Sequence, residues 1–466
     1  MKTYIISGLL LLSLNLWANT PFPEITSFQD RLDSSNCSTK TKAINQWLKK
    51  LEMGASREQQ LYQDHDYLLK QLWDSKISVH ETMKNMALDE KCVHELRNFY
   101  INLRKIEDVI EQNNYLNRKE GDSFPDDAFG INNEHVKRNP TYNSFDLLKD
   151  LQSGDIILSR GKAYTSAAIS ALGEYDTQFS HLSMVYKDSN NKIWTVESHI
   201  EVGAFVRPLK DHINDKNFRT MVFRYKDTEM AAKAAEFIFK KVKKASDTTG
   251  NINYDFGFDP DDSSELFCSE IASHAFAHVS NNQIKLPMFS SRITAKKPDF
   301  VAQLGITVPV SFIPADMEVD PRFDIIAEWK NAAIIPDILQ KDAVLQAMYR
   351  WSDQEGYVLN QASSFTSFTY RNIAWPLRRV PVFERQFDEK LPLNMTRKLV
   401  GYFGVLESVG KFLQKRLAVE ELQHLSVHND YMNSDEKYEF LNHVRVDKKQ
   451  GSKKLHFMFG PQHKKK

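Results

Sequence analysis

The chain of 466 residues has little cysteine: Cys37, Cys92 and Cys268 are all there is. Three thiols allow one disulfide and leave one odd sulfur to be explained. It has no charge excess either. Lys and Arg together number 61, as do Asp and Glu, so no overall field marks a nucleic-acid binder. Beyond its first residues the sequence lacks any stretch long and apolar enough to cross a bilayer. The phosphate-cradling loop GxxxxGKS/T is missing, and no GxGxxG follows a strand pattern. The zinc helix HExxH and the serine elbow GxSxG are absent as well. No repeat recurs at a solenoid period. Proline is absent from Thr39 to Asn114, which leaves that region free to be helical.

What is there begins with a leader-like start. Met1-Lys2 is a short basic region, Tyr4 to Leu16 is apolar, and Ala18 offers a small residue for cleavage. This reads as a secretory signal peptide over residues 1–18, so the expected location is exported, periplasmic or extracellular. The competing reading is an uncleaved anchor, for which the run is short. No cysteine follows the apolar region, so a lipid-anchored start is not indicated. An oxidising compartment favours pairing of Cys37 with Cys92, both in the helical region, and leaves Cys268 as the free thiol.

The length suggests two or three domains. Ile44, Trp47, Leu48 and Leu51 recur at helical spacing, as do Leu61, Tyr67, Leu68 and Leu72, then Leu96, Phe99, Leu103 and Ile106. Three antiparallel helices are expected within a helical domain over residues 19–144, with a linker rich in Asn, Asp, Gly and Pro near its end. The pattern then changes. Short strands are expected at Asp155–Ser159, His181–Tyr186, Ile193–His199, Val202–Val206 and Thr220–Tyr225. Helices are expected at Thr165–Leu172 and Met230–Lys244. Strands framed by helices argue an α+β domain over residues 145–310. Residues 311–447 read as mostly helical, with helices at Asp324–Asn331, Asp337–Trp351 and Arg397–Val427, and with extended segments at Trp375-Pro376 and Val380–Val382. From Lys448 to Lys466 there are seven lysines and no acid, a basic tail expected to be disordered and able to touch an anionic surface.

The stretch YDFGFDPDDSSELFCSEIASHAFAHV, from Tyr254 to Val279, carries the chemistry. It opens as a polar loop and becomes an apolar-periodic run through Ile271, Ala275, Phe276 and Val279. Ser263 or Ser264 can cap that helix, with Asp261, Asp262 and Glu265 near its start. Cys268 then lies in or near the first turn, where free N–H groups and the helix dipole favour a thiolate. The plainer alternative is a buried structural cysteine. A nucleophilic thiolate needs a base, and the base needs an orienter. His181 opens a strand after the polar Gln178–Ser180. Glu197, on the hairpin's return strand, can hold the far ring nitrogen of His181 and fix its tautomer. His199 shares that face by strand alternation and is the rival orienter. Tyr254 can serve as an oxyanion donor or line a substrate groove, or simply pack. Glu270 reads as a local salt-bridge or capping group and Asp155 as a structural tie. A zinc site built from Cys268, His181 and His199 has no local ligand spacing behind it.

LQSGDIILSR, FSHLSMVY, TVES and YDFGFDPDDSSELFCSEI, in that order, resemble the permuted papain-like amidases of the YiiX/YaeF kind, circularly permuted relatives of the NlpC-type cell-wall peptidases. The resemblance spans about Leu151 to Val279. It implies a permuted papain-like core, with His before Cys in the chain, and a Cys268–His181 dyad with Glu197 as third member. It implies a cysteine hydrolase that passes through a thioester and uses no cofactor or metal. The expected substrate is a peptidoglycan peptide amide. The alternatives are a lipid-like acyl amide or ester, acyl transfer at the same site, or an inert binding or scaffold protein. No nucleic-acid partner is implied.

Overall fold

The computed structural model describes residues 24, 28, 31–55, 65–116, 136–174, 176–213, 215, 217–260, 262–293, 298–361, 368–369, 372–373, 375–377, 394–449 and 451–461. The leader-like residues 1–18 and the Val380–Val382 segment lie outside these. The chain divides into two compact units, residues 1–111 and 112–466.

In the first unit the helical periodicity becomes three helices: α1 (Cys37–Ala55), α2 (His65–Met83) and α3 (Glu90–Leu116). Their apolar stripes, including Leu48, Leu72, Leu96, Phe99 and Leu103, are buried. Cys37 and Cys92 form a disulfide with Cα atoms 5.3 Å apart, which ties the start of α1 to the start of α3. Inside, the Asn45 amide donates to the Glu95 carbonyl at 2.9 Å and Asn102 donates to Asn45 at 3.1 Å. The Lys76–Glu107 ion pair is fully buried at 3.5 Å.

The second unit is built on a seven-stranded antiparallel sheet, taken over the described residues, in the order β1-β9-β6-β2-β3-β4-β5. The strands are β1 (Lys137–Arg138), β2 (Ile156–Arg160), β3 (His181–Lys187), β4 (Ile193–His199), β5 (Gly203–Pro208), β6 (Arg219–Tyr225) and β9 (Phe323–Lys330). Two further short strands, β7 (Ser291–Arg292) and β8 (Val310–Ser311), pair with each other. The β3–β4 hairpin sets Met184 against Val196 and Val185 against Thr195. Alternation then puts His181, Ser183 and Val185 on one face with Thr195, Glu197 and His199. The opposite face is covered by α6 (Thr228–Thr248) and α7 (Glu270–Val279). There Tyr186 stacks on Phe239 of α6, and Tyr225 meets Phe276 of α7.

Gly154 shows why the chain enters β2 through Gly-Asp. Its φ is +94°, and a Cβ there would stand 2.4 Å from the Cβ of Ala231 on α6. Only glycine allows both the backbone turn and the close approach. Asp155 beside it receives Arg224 at 2.8 and 2.7 Å and the Gln152 N–H at 2.8 Å, the structural tie expected of it.

Four expectations are corrected. The helix expected at Asp324–Asn331 is strand β9, paired along β6 from Arg219 to Tyr225. Every residue from Ile325 to Lys330 is buried, so apolar positions mark both faces and the periodicity does not distinguish strand from helix. With β9 and β1 in the sheet, the α+β domain reaches beyond 145–310 at both ends. The basic tail from Lys448 is ordered over its described part. Ser452–Met458 is helix α12, and Phe459–Pro461 is β11, which pairs with β10 (Tyr357–Leu359). Leu455, Met458 and Phe459 are buried, and that apolar content outweighs the lysine signal. Trp375–Leu377 is a helical turn and not extended.

The remaining helices buttress the sheet domain. They are α4 (Tyr164–Ser170), α5 (Leu209–Ile213), α8 (Pro298–Gln303), α9 (Ile335–Glu355), α10 (Arg397–His428) and α11 (Ser434–Val446). Tyr349 of α9 donates to the Ala168 carbonyl at 3.0 Å, and the buried Arg160 pairs with Asp342. At Gly410 the long helix α10 comes so close to Tyr164 that a Cβ would lie 2.5 Å from the ring. Among the described residues no helix is long and apolar enough to cross a membrane.

Candidate active site

The end of the β3–β4 hairpin gathers the polar residues. Glu197 is fully buried and accepts on both oxygens. Its Oε2 faces His181 Nε2 and His199 Nε2, each at 3.0 Å, and Arg207 Nη2 at 2.9 Å. Its Oε1 faces Arg207 Nε at 2.7 Å, His212 Nδ1 at 3.0 Å and the Thr195 hydroxyl at 2.5 Å. Burial works to raise the pKa of this carboxyl. His212, His181 and His199 outweigh it and hold the group well below the usual carboxylate range. The two candidate orienters are therefore not equivalent. Glu197 holds His181 directly, whereas His199 also binds Glu197 and meets His181 edge-on, with ring centroids 4.7 Å apart.

Arg207 and His212 were not singled out from the sequence. Arg207 sits opposite Thr195 in the β4–β5 register, and His212 comes from the short helix that follows β5. A signal existed: Arg207 lies an even number of residues from Phe205, the partner of Glu197, so it shares the Glu197 face. Pairing β5 with β4 had to be known first.

Cys268 lies two residues before α7 and is 3% exposed. The helix begins at Glu270 with Ser269 as N-cap, so neither Ser263 nor Ser264 caps it. Glu270 instead folds back and accepts the Phe267 N–H at 2.9 Å, the capping role expected of it. The loop is anchored to the sheet where Ser198 Oγ donates to the Leu266 carbonyl at 2.5 Å. The backbone N–H of Leu182, next to His181 in the chain, and the N–H of Ser269 face the thiol. Among the described residues, no hydrogen bond closes between Cys268 and His181.

The thiolate expected from the helix start is corrected by burial. Desolvation pushes the Cys268 thiol up to about 11, against the lowering effect of those N–H groups. Burial likewise brings His181 down to about 4, although Glu197 opposes it. Cys268 therefore rests as a neutral thiol and His181 as a neutral imidazole. Its Nε2 faces a carboxylate and so carries the proton, which leaves Nδ1 as the acceptor.

Tyr254 is buried, and burial raises its hydroxyl pKa well above the ordinary value, with Cys268 among the neighbours that add to it. It packs against Phe256 with ring centroids 5.1 Å apart and lines a small, partly open apolar pocket. Ile169, Leu172, Phe256, Leu304, Ile306 and Phe403 form most of the remaining wall. Asp255 shapes the loop between them by accepting the Gly257 and Asp259 N–H groups, each at 2.6 Å.

Residues 150–349 match the family of permuted papain-like amidase enzymes, YaeF/YiiX, C92 family. The match takes in β2 to β9 and most of α9, with His181, Glu197 and Cys268 inside it, and leaves out α10 to α12. No curated protein and no solved structure matches the chain.

Proposed function

With residues 150–349 read as a papain-like cysteine amidase domain, we propose that Cys268 is the nucleophile, His181 the base and Glu197 the group that orients it. The proposed substrate is an amide whose acyl part is apolar. The observation that carries this is the apolar pocket that Tyr254 lines, with Cys268 among the neighbours that act on the Tyr254 hydroxyl.

In the proposed sequence, substrate displaces water and the thiol approaches His181. Sγ attacks the carbonyl carbon as its proton passes to His181 Nδ1, and Glu197 stabilises the imidazolium through Nε2. The oxyanion is held by the N–H groups that face the thiol, those of Leu182 and Ser269. The imidazolium then protonates the leaving amine and a thioester remains. Water, giving its proton to His181, attacks the thioester and releases the acid and the free thiol.

The cavity favours an acyl lipid amide over a cell-wall stem peptide, because the wall offers aliphatic and aromatic side chains and no charged group. An exported location is proposed on the leader-like start and is supported by the Cys37–Cys92 disulfide. The test is hydrolysis of an N-acyl amino acid and of a muropeptide by wild type and by Cys268→Ala. Release of fatty acid that depends on Cys268 supports the reading. Release of muropeptide fragments alone would return the substrate to the cell-wall peptide, and no Cys268-dependent hydrolysis of either would sink the amidase assignment.

A further inference from the structure

The cluster around Glu197 has a second capacity that the amidase reading does not use. His181 Nε2 and His199 Nε2 each lie 3.0 Å from one carboxylate oxygen, Glu197 Oε2. The three atoms all fall within 4.8 Å of one another. Two imidazoles and a carboxylate form a donor set suited to zinc and its neighbours in the first transition row, and poorly suited to magnesium or calcium. Ligand atoms on a tetrahedral zinc stand about 3.3 Å apart, given bonds of about 2.0 to 2.1 Å. Two sides of the triangle already have about that size. The third closes if the His199 ring, 28% exposed at its side chain, swings inward.

We propose that His181, Glu197 and His199 form a site for a single Zn2+ ion, and that this ion switches the amidase site off. Local charge permits it. Arg207 also touches Glu197, but it is shared with Asp215, so two carboxylates face one guanidinium. Ser159, opposite His181 in the β2–β3 register, and Ser183, on the same face, are buried hydroxyls that close no hydrogen bond. They give the site spare polar capacity for a water carried by the ion.

The switching follows from tautomers and rests on the proposed role of His181. Without metal, Nε2 carries the proton toward Glu197, and Nδ1 is free to take the proton of Cys268. An ion on Nε2 takes that lone pair, and the ring proton moves to Nδ1. No net proton is lost from the ring, but the nitrogen that must act as base is now occupied. This differs from capture of a metal by the thiol, since Cys268 is not a ligand.

The binding test does not depend on activity. Full-length wild type and Cys268→Ser are dialysed against micromolar ZnCl2, and bound metal is counted by elemental analysis. Both should hold one equivalent that MgCl2 does not displace. His181→Gln and His199→Gln should each weaken that equivalent at least about 100-fold, more than the 10- to 100-fold typical of losing a group that only supports a ligand. Loss of the equivalent in Cys268→Ser would make the thiol a ligand and overturn the proposal, as would full retention in either histidine variant or no binding by wild type. A second measurement needs no variant. Zn2+ should block diethylpyrocarbonate modification of both His181 and His199, read by peptide mass spectrometry, and unblocked modification would equally overturn the site. Should zinc bind as described while no amide is hydrolysed, the metal site stands and the amidase assignment fails.

Discussion

Two regions of one domain bury a carboxylate, and they reach opposite charge states. At the end of β4, Glu197 is enclosed by Arg207, three imidazoles and a threonine hydroxyl, and it stays ionised. In the loop before α7, Glu270 has one N–H donor and no cation among its bonded partners, with Asp255, Asp259 and Asp262 nearby. Burial pushes it up to about 9. Cys268 stands two residues from Glu270 and shares that apolar setting, so its thiol is also held neutral. Burial by itself sets no charge; the number of donors that come with it does. The two regions are thus an ionised end at Glu197 and a neutral end at Cys268; in the function proposed above, the first orients the base and the second keeps the nucleophile protonated until substrate arrives.

The largest expected effect comes from removing the proposed nucleophile at the neutral end. Cys268→Ala should lower amide hydrolysis on the order of a thousandfold or more, read as kcat/KM on an N-acyl amino acid. Residual hydrolysis near the wild-type rate would end the division described here. Next is the ionised end. Glu197→Leu strips five partners of their acceptor and should cost about 3 to 5 kcal/mol, measured by urea denaturation. A near-neutral result would mean that the cluster's charges find other partners.

A smaller effect is expected at Gly154→Ala, where positive φ and the approach of Ala231 coincide. Its cost should be about 1 to 3 kcal/mol. The thiol offers a kinetic comparison at no cost to stability. In the free protein, iodoacetamide labelling of Cys268 should be slow at pH 7 and rise roughly tenfold per unit toward pH 10, as expected of a group titrating at about 11. A plateau reached below pH 8 would show that the helix start had won over burial.

Near pH 5 the smallest effect is at Glu270. Its folded pKa of about 9 is above its ordinary value of 4.5, so the folded state holds a proton that the unfolded chain releases. That contribution is whole below about pH 4.5 and is lost as pH rises through 9. Glu270→Gln should therefore leave stability little changed near pH 5 and flatten its decline toward pH 9, measured as Tm against pH. A parallel shift at all pH values would assign Glu270 an ionised capping role.

Much of this was legible from residue pattern. The order of Gly154-Asp155, His181, Glu197 and the Tyr254-to-Cys268 stretch pointed to the sheet hairpin and to a cysteine before a helix. The three N-terminal helices followed from apolar spacing on a chain stretch without proline. β9 was misread because strands buried on both faces carry no alternation. The ordered tail was misread because three buried apolar residues are easily hidden among lysines. Arg207 and His212 depend on which strand lies beside β4, and composition does not encode that neighbour.

The sequence by itself determined which groups are available: one odd thiol, a strand-start histidine, a carboxylate on its hairpin partner and a glycine where no side chain fits. Those are matters of residue type and local spacing, which the chain carries directly. Only the tertiary structure decided their protonation and their company. Glu197 is ionised because Arg207 and His212 arrive from the next strand and the helix after it. Cys268 is neutral because the folded chain removes water from around it and brings too few donors to replace that water.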